Sequence, residues 1–177
     1  MKEKLDVHEY FEYPETVRPM ELVYGFVREP AMPRYEHQRA ATRLLALLYA
    51  HVEELGCGEV LSPMDVVLDE SAALVVQPDL VFVSGDRRHI IKDRIWGPPD
   101  LVVEILSPQT ERRDRTTKVG WYRQHGVREC WLINVKHQWL EVIELQSTTP
   151  ARLFWGPQQV RSAVLPDCHL PVEQIFV

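Results

Sequence analysis

The run Asp100-Leu101-Val102-Val103-Glu104-Ile105-Leu106-Ser107 constrains this chain most, because an acid stands inside a segment that otherwise reads as an apolar strand. A second acid, Asp79, follows Pro78 and opens a similar run, Leu80-Val81-Phe82-Val83. An ionised residue in such a setting is costly to bury unless something pairs with it. Two of them on neighbouring strands repel each other unless a cation lies between. Carboxylates prefer hard divalent cations such as magnesium or manganese. The helical segment from about Arg112 to Gln124 then carries Asp114 and Lys118 one turn apart. A lysine beside a metal site suits polarised water and phosphate oxygens. Together these features point to phosphodiester chemistry.

Strand alternation sharpens the argument. Asp100, Val102, Glu104 and Leu106 share one face, as do Asp79, Val81 and Val83 on their own strand. If the two strands are neighbours, Asp79 and Glu104 reach one site, and Ile105 can add its backbone carbonyl to a metal shell. Lys118 lies four residues after Asp114 and four before Tyr122, on one helical stripe. Glu21, which begins the run Leu22-Val23-Tyr24-Gly25-Phe26-Val27, is a further acidic candidate. Each feature also has a structural explanation: a solvated strand end for Asp79 or Glu21, a salt bridge for Glu104, an exposed ion pair for Asp114 and Lys118. His37 is read as packing at the start of a helix. Arg88, Arg112 and Arg113 belong to a basic set bracketing the Glu104 strand and are candidates for phosphate contact.

The rest of the chain supplies a scaffold. From Arg34 to Leu55, apolar residues recur at helical spacing and Gly56 follows where a C-terminal cap belongs. Glu21 to Val27 reads as one strand, with Gly25 at a bulge or close approach. Short strands are expected near residues 60–61, 65–68, 73–76, 79–83, 101–106, 129–135, 139–145 and 152–155. Gly85 to Trp96 reads as a loop with a possible short element, and Lys136-His137 as a tight turn. This order predicts an α/β fold, a central mixed sheet flanked by helices. One domain over residues 1–177 is expected, with residues 1–20 an arm or short helix.

Net charge is −6, which argues against a broad nucleic-acid-coating surface but permits a local basic patch. Three widely spaced cysteines, without a C-x-x-C pair, read as reduced thiols rather than a disulfide frame or zinc site. No apolar run is long enough for a membrane span, and no signal segment is evident, so a cytoplasmic location is expected. The apolar stretch Trp139 to Leu145 reads as a sheet edge that a homodimer could cover.

The strings Pro78-Asp79-Leu80-Val81-Phe82-Val83, Pro99-Asp100-Leu101-Val102-Val103-Glu104-Ile105-Leu106-Ser107-Pro108, Asp114 to Lys118 with Tyr122, and Gly126-Val127-Arg128-Glu129-Cys130-Trp131-Leu132-Ile133 together resemble the Uma-type endonucleases of the PD-(D/E)XK, or restriction-endonuclease-like, superfamily. Glu21 to Gly25 and His37-Gln38 fit the same pattern. The resemblance implies cleavage of a nucleic-acid phosphodiester, with DNA the expected substrate and magnesium or manganese the cofactor. It makes Asp79 and Glu104 the two acids. The usual lysine, two residues beyond the second acid, is replaced here by Leu106, and the resemblance implies that Lys118 takes its place. A non-catalytic nucleic-acid-binding or assembly module on the same scaffold is the alternative, and a small-molecule phosphodiesterase is a third reading.

Overall fold

The computed structural model describes residues 4–14 and 18–177. The chain runs through α1 (Val7–Phe11), β1 (Glu21–Val23), β2 (Phe26–Arg28), α2 (Tyr35–Leu55), β3 (Gly58–Leu61), β4 (Val66–Asp69), β5 (Leu74–Val76) and β6 (Leu80–Ser84). A 3-10 turn, Gly85–Ile90, leads to β7 (Ile95–Trp96) and β8 (Leu101–Leu106). Next come α3 (Glu111–Arg113), a π-helical turn (Asp114–Lys118) and α4 (Val119–Gln124). Strands β9 (Glu129–Asn134), β10 (Trp139–Glu144), β11 (Arg152–Trp155), β12 (Gln159–Val160) and β13 (Leu170–Pro171) precede a closing 3-10 turn, Val172–Ile175. The predicted arm or short helix over residues 1–20 contains α1; residues 1–3 and 15–17 lie outside the described part of the chain.

Two main sheets and a two-stranded β12-β13 ribbon organise these elements. The larger has the order β11-β10-β9-β8-β6-β3 and is mixed: β8 pairs parallel with β9, and its other ladders are antiparallel. The smaller has the order β2-β1-β5-β4-β7. Parallel neighbours need a crossover, and the α3–α4 segment supplies it between β8 and β9. All six residues of β8 are buried, as is every residue of β9. One face of the large sheet packs Leu80, Phe82, Val103 and Ile105 with Leu44, Leu48 and Val52 of α2. The other packs Val81, Val83, Val102 and Leu132 with Val119 and Tyr122 of the crossover, and with Val66 and Val76 of the small sheet. Glu104 projects from this second face, so it meets the crossover helix.

Most predicted elements are present, with instructive exceptions. The single strand expected over residues 21–27 is a hairpin: Tyr24 and Gly25 both take positive φ, 52° and 87°, and form a two-residue turn between β1 and β2. A side chain at Gly25 would also press on the Leu5 carbonyl, so the expected close approach is present. Gly56, at φ 59°, ends α2 in the left-handed region as predicted. The sheet edge expected at Trp139 to Leu145 is an interior strand, because β11 covers its outer side. All three cysteines are free, and Cys130 and Cys168 are buried. Among the described residues, no helix is long and apolar enough to cross a membrane.

Candidate active site

Antiparallel pairing of β6 with β8 sets Leu80 against Val103, and the Asp79 N–H continues the ladder by donating to the Val103 carbonyl at 3.1 Å. Asp79 therefore stands beside Glu104. Its Oδ2 accepts the Ile105 N–H at 2.7 Å. N–H and C=O of one strand residue point to the same side, so the Ile105 carbonyl faces the same space as the Asp79 carboxylate. From the first turn of α2, His37 Nε2 approaches Asp79 Oδ2 to 3.4 Å, with the Ile105 carbonyl close by.

Glu104 is held from the crossover. Lys118 Nζ donates to both its oxygens, at 2.8 and 2.9 Å, and the Tyr122 hydroxyl donates to Oε1. Lys118 also lies 3.1 Å from Glu21 Oε1, while Arg113 donates to Glu21 Oε2 at 2.8 Å. Glu21, contributed by the small sheet, is fully buried. Asp114 is buried close by and bonded to Thr110. It and Lys118 bracket the π-helical turn, a geometry frequent at functional sites.

Carboxylates outnumber cations here. Glu21, Asp79, Glu104 and Asp114 face Lys118 and Arg113, with His37 at the margin. Burial pushes Glu104 up to about 8, and the charges of Asp114 and Asp79 add to what the Lys118 ammonium offsets. Burial likewise raises Asp114. Glu21 shows the opposite balance: burial raises its carboxyl, but Lys118 and Arg113 outweigh that and leave it below the usual range. Burial alone would lower Lys118, yet Glu104, Glu21 and Asp114 hold it above an ordinary lysine. For His37, burial is outweighed by its bond to Asp79, the Asp79 charge and the Ile105 carbonyl, so its pKa is raised.

All these groups line one cavity of about 630 Å³. Its donors suit a hard divalent ion: carboxylate oxygens of Asp79 and Glu104, the Ile105 carbonyl, and an excess of negative charge that a cation relieves. Among the described residues, no three His, Cys, Asp or Glu side chains form a ready-made cage.

The structure thus gathers Asp79, Glu104, Ile105, Lys118, Glu21 and Arg113 around one cavity. Arg88 stands elsewhere: it follows the far end of β6 and pairs with Glu59 on β3. Arg112 is exposed outside the lining. Sequence reasoning placed His37 in packing, whereas its ring touches the site. Helical spacing puts Asp114 and Tyr122 on the lysine's stripe, and only the fold joins them to the acids. The stripe itself was the available signal.

A mixed sheet with one acid at a strand start, a second on the adjacent strand and a lysine facing it is the restriction-endonuclease-like nuclease fold. The chain belongs to the Uma2 family, described as "Putative restriction endonuclease", which matches residues 7–173. A solved structure described as "a putative nuclease belonging to DUF820 from Anabaena variabilis ATCC 29413" superposes with a TM-score of 0.81 and 20% identity, covering 97% of each chain. No curated protein matches the chain.

Proposed function

We propose that this chain is a divalent-metal-dependent endonuclease that hydrolyses nucleic-acid phosphodiester bonds, with DNA the expected substrate. One observation carries the reading: Asp79, Glu104 and the Ile105 carbonyl face a common space, and the Lys118 ammonium is locked onto Glu104. Asp79, Glu104 and the Ile105 carbonyl would hold magnesium or manganese. When bound, such an ion lowers the pKa of an attacking water and offsets charge on the phosphoryl oxygens. Lys118 stays protonated and places positive charge where the pentavalent transition state gathers negative charge. Glu21 and Glu104 fix the ammonium from two sides, and Arg113 shares the burden of the Glu21 charge. Tyr122 fixes the Glu104 rotamer.

The purified chain should nick plasmid DNA in manganese or magnesium and stop in EDTA. Glu104→Gln, which keeps the shape of the side chain and removes its charge, should abolish nicking while the far-UV circular dichroism stays unchanged. A wild-type chain inert with both ions on DNA and RNA would overturn the proposal and leave a binding or assembly module on this scaffold.

A further inference from the structure

We infer that the site takes an unpaired polynucleotide strand, threaded into the cavity, rather than an intact duplex; this rests on the nuclease reading above. The argument begins with depth. The side chains of Lys118, Glu104 and Glu21 are 6, 5 and 0% exposed, and even Asp79 shows only 25%. The acids and the lysine form a buried floor, while the cavity rim is formed by exposed residues such as Met32, Arg34, Pro108 and Lys136. A phosphate can meet that floor only by entering the cavity with its nucleotide. Duplex phosphates lie on a convex cylinder whose bases hold them in place. A cavity of about 630 Å³ is of ligand size, the scale of one or two nucleotides.

The chemistry of the walls agrees. Pro30, Met32 and Pro33 present apolar surface at the entrance, and Met32 is 59% exposed. Apolar surface of this kind suits the face of an unstacked base, as in other single-strand grooves. Free positive charge is sparse. Arg34 and Lys136 have no carboxylate partner among the described residues, while Arg113 is paired with Glu21 and Arg18 with Glu29. Two rim cations can follow one backbone. A duplex, with a charge about every 1.7 Å of axis, calls for a wider basic band, and the net charge of −6 gives no reserve for one.

The test uses the full chain with labelled oligonucleotides of one sequence in three forms: single strand, perfect duplex, and duplex with a single-stranded tail. DNA and RNA series identify the sugar, and the preference is read within each. Unstacking costs about tenfold per base-pair step, so a duplex that must release two nucleotides should be cut about a hundredfold more slowly than the free strand. Cuts in the tailed substrate should fall in the tail. Equal rates, with cuts inside the paired region, would overturn the inference.

Anisotropy measured in calcium reads strand preference without cleavage. The single strand should bind more tightly than the duplex, with a salt slope of about −1.4 for two phosphates. Met32→Glu and Arg34→Glu, both at exposed positions, should each weaken single-strand binding on the order of tenfold at unchanged melting temperature. Tighter duplex binding with a steep slope would overturn the inference. Absence of cleavage on every substrate would instead overturn the nuclease reading, and the binding arm would still decide the strand.

Discussion

The two ends of β8 carry the same kind of residue with opposite outcomes. Asp100, immediately before the strand, and Glu104, within it, are both buried acids on one face. Asp100 is satisfied: its Oδ2 accepts from the Ser84 N–H and hydroxyl, and its Oδ1 from Arg87 and Arg128. Burial raises its carboxyl, but these bonds outweigh burial and leave it below the usual range. Glu104 is raised, first by its deeper burial and then by Asp114 and Asp79, while the Lys118 it shares with Glu21 offsets only part. Depth of burial and the balance of bonded partners separate the two acids, together with a cavity that only Glu104 lines.

The sharpest way to break this comparison is to exchange the consequences. Lys118→Ala should cost on the order of 10³-fold in nicking rate, the scale of losing a preorganised electrostatic group. Asp100→Asn should leave the rate per folded molecule near wild type. Comparable rate losses in both would erase the distinction.

Stability should show the reverse. Asp100→Asn breaks the pairing of two guanidiniums with a buried carboxylate. It should destabilise by about 3 kcal/mol in urea, at the low end for such pairs because both arginines reach solvent. The Asp100 pKa is depressed, so its contribution is complete above about pH 3.8 and fades as pH falls through the folded value. The gap between wild type and variant should therefore close only in strong acid.

Manganese sharpens the other end. At a hundredfold excess over its dissociation constant, binding should add about 2.7 kcal/mol to the folded state. For a chain of this length that raises the melting temperature by roughly 5 to 10 °C. Asp79→Asn should lose most of this rise, and Asp100→Asn should keep it. Identical shifts in wild type and Asp79→Asn would remove Asp79 from the metal shell.

A proton gives a further handle on the same acid. Glu104 titrates at about 8 when folded against an ordinary 4.5, so the folded state keeps a proton that the unfolded state has released across that window. Metal-free stability should fall as pH rises from 4.5 to 8 and level off above, and Glu104→Gln should flatten the slope. Manganese binding at pH 7 should also release close to one proton, read by calorimetry in buffers of different ionisation enthalpy.

Much of this was legible in residue order. The apolar runs around Asp79 and Glu104 announced buried strands, and period-two alternation put both acids on matching faces. Helical spacing put Lys118 behind them. The spacing of apolar residues from Ala41 to Val52, with Gly56 after them, gave α2 almost to its ends. Other features depended on which segments meet. Nothing local marks Tyr24-Gly25 as a turn, because the flanking residues continue the same apolar texture. Asp100 and Glu104 look alike in sequence, since the partners that distinguish them arrive from Arg87 and Arg128 in one case and from Glu21 and Asp114 in the other. His37 reaches Asp79 across 42 positions of chain, a contact that only tertiary packing creates.

The π-helical turn has a consequence for the chain's tolerance of length change. Five residues from Asp114 to Lys118 wind more loosely than an α-helix would, and both end residues face inward. Thr117 lies exposed within the turn. Its deletion would remove no group that touches the cavity. It would convert the i→i+5 turn into an ordinary i→i+4 α-helical turn. Asp114 and the lysine would then stand three residues apart, still neighbours on one helix face. The turn therefore holds one residue more than the facing of its two ends requires, so a one-residue gap here is compatible with both side chains staying inward.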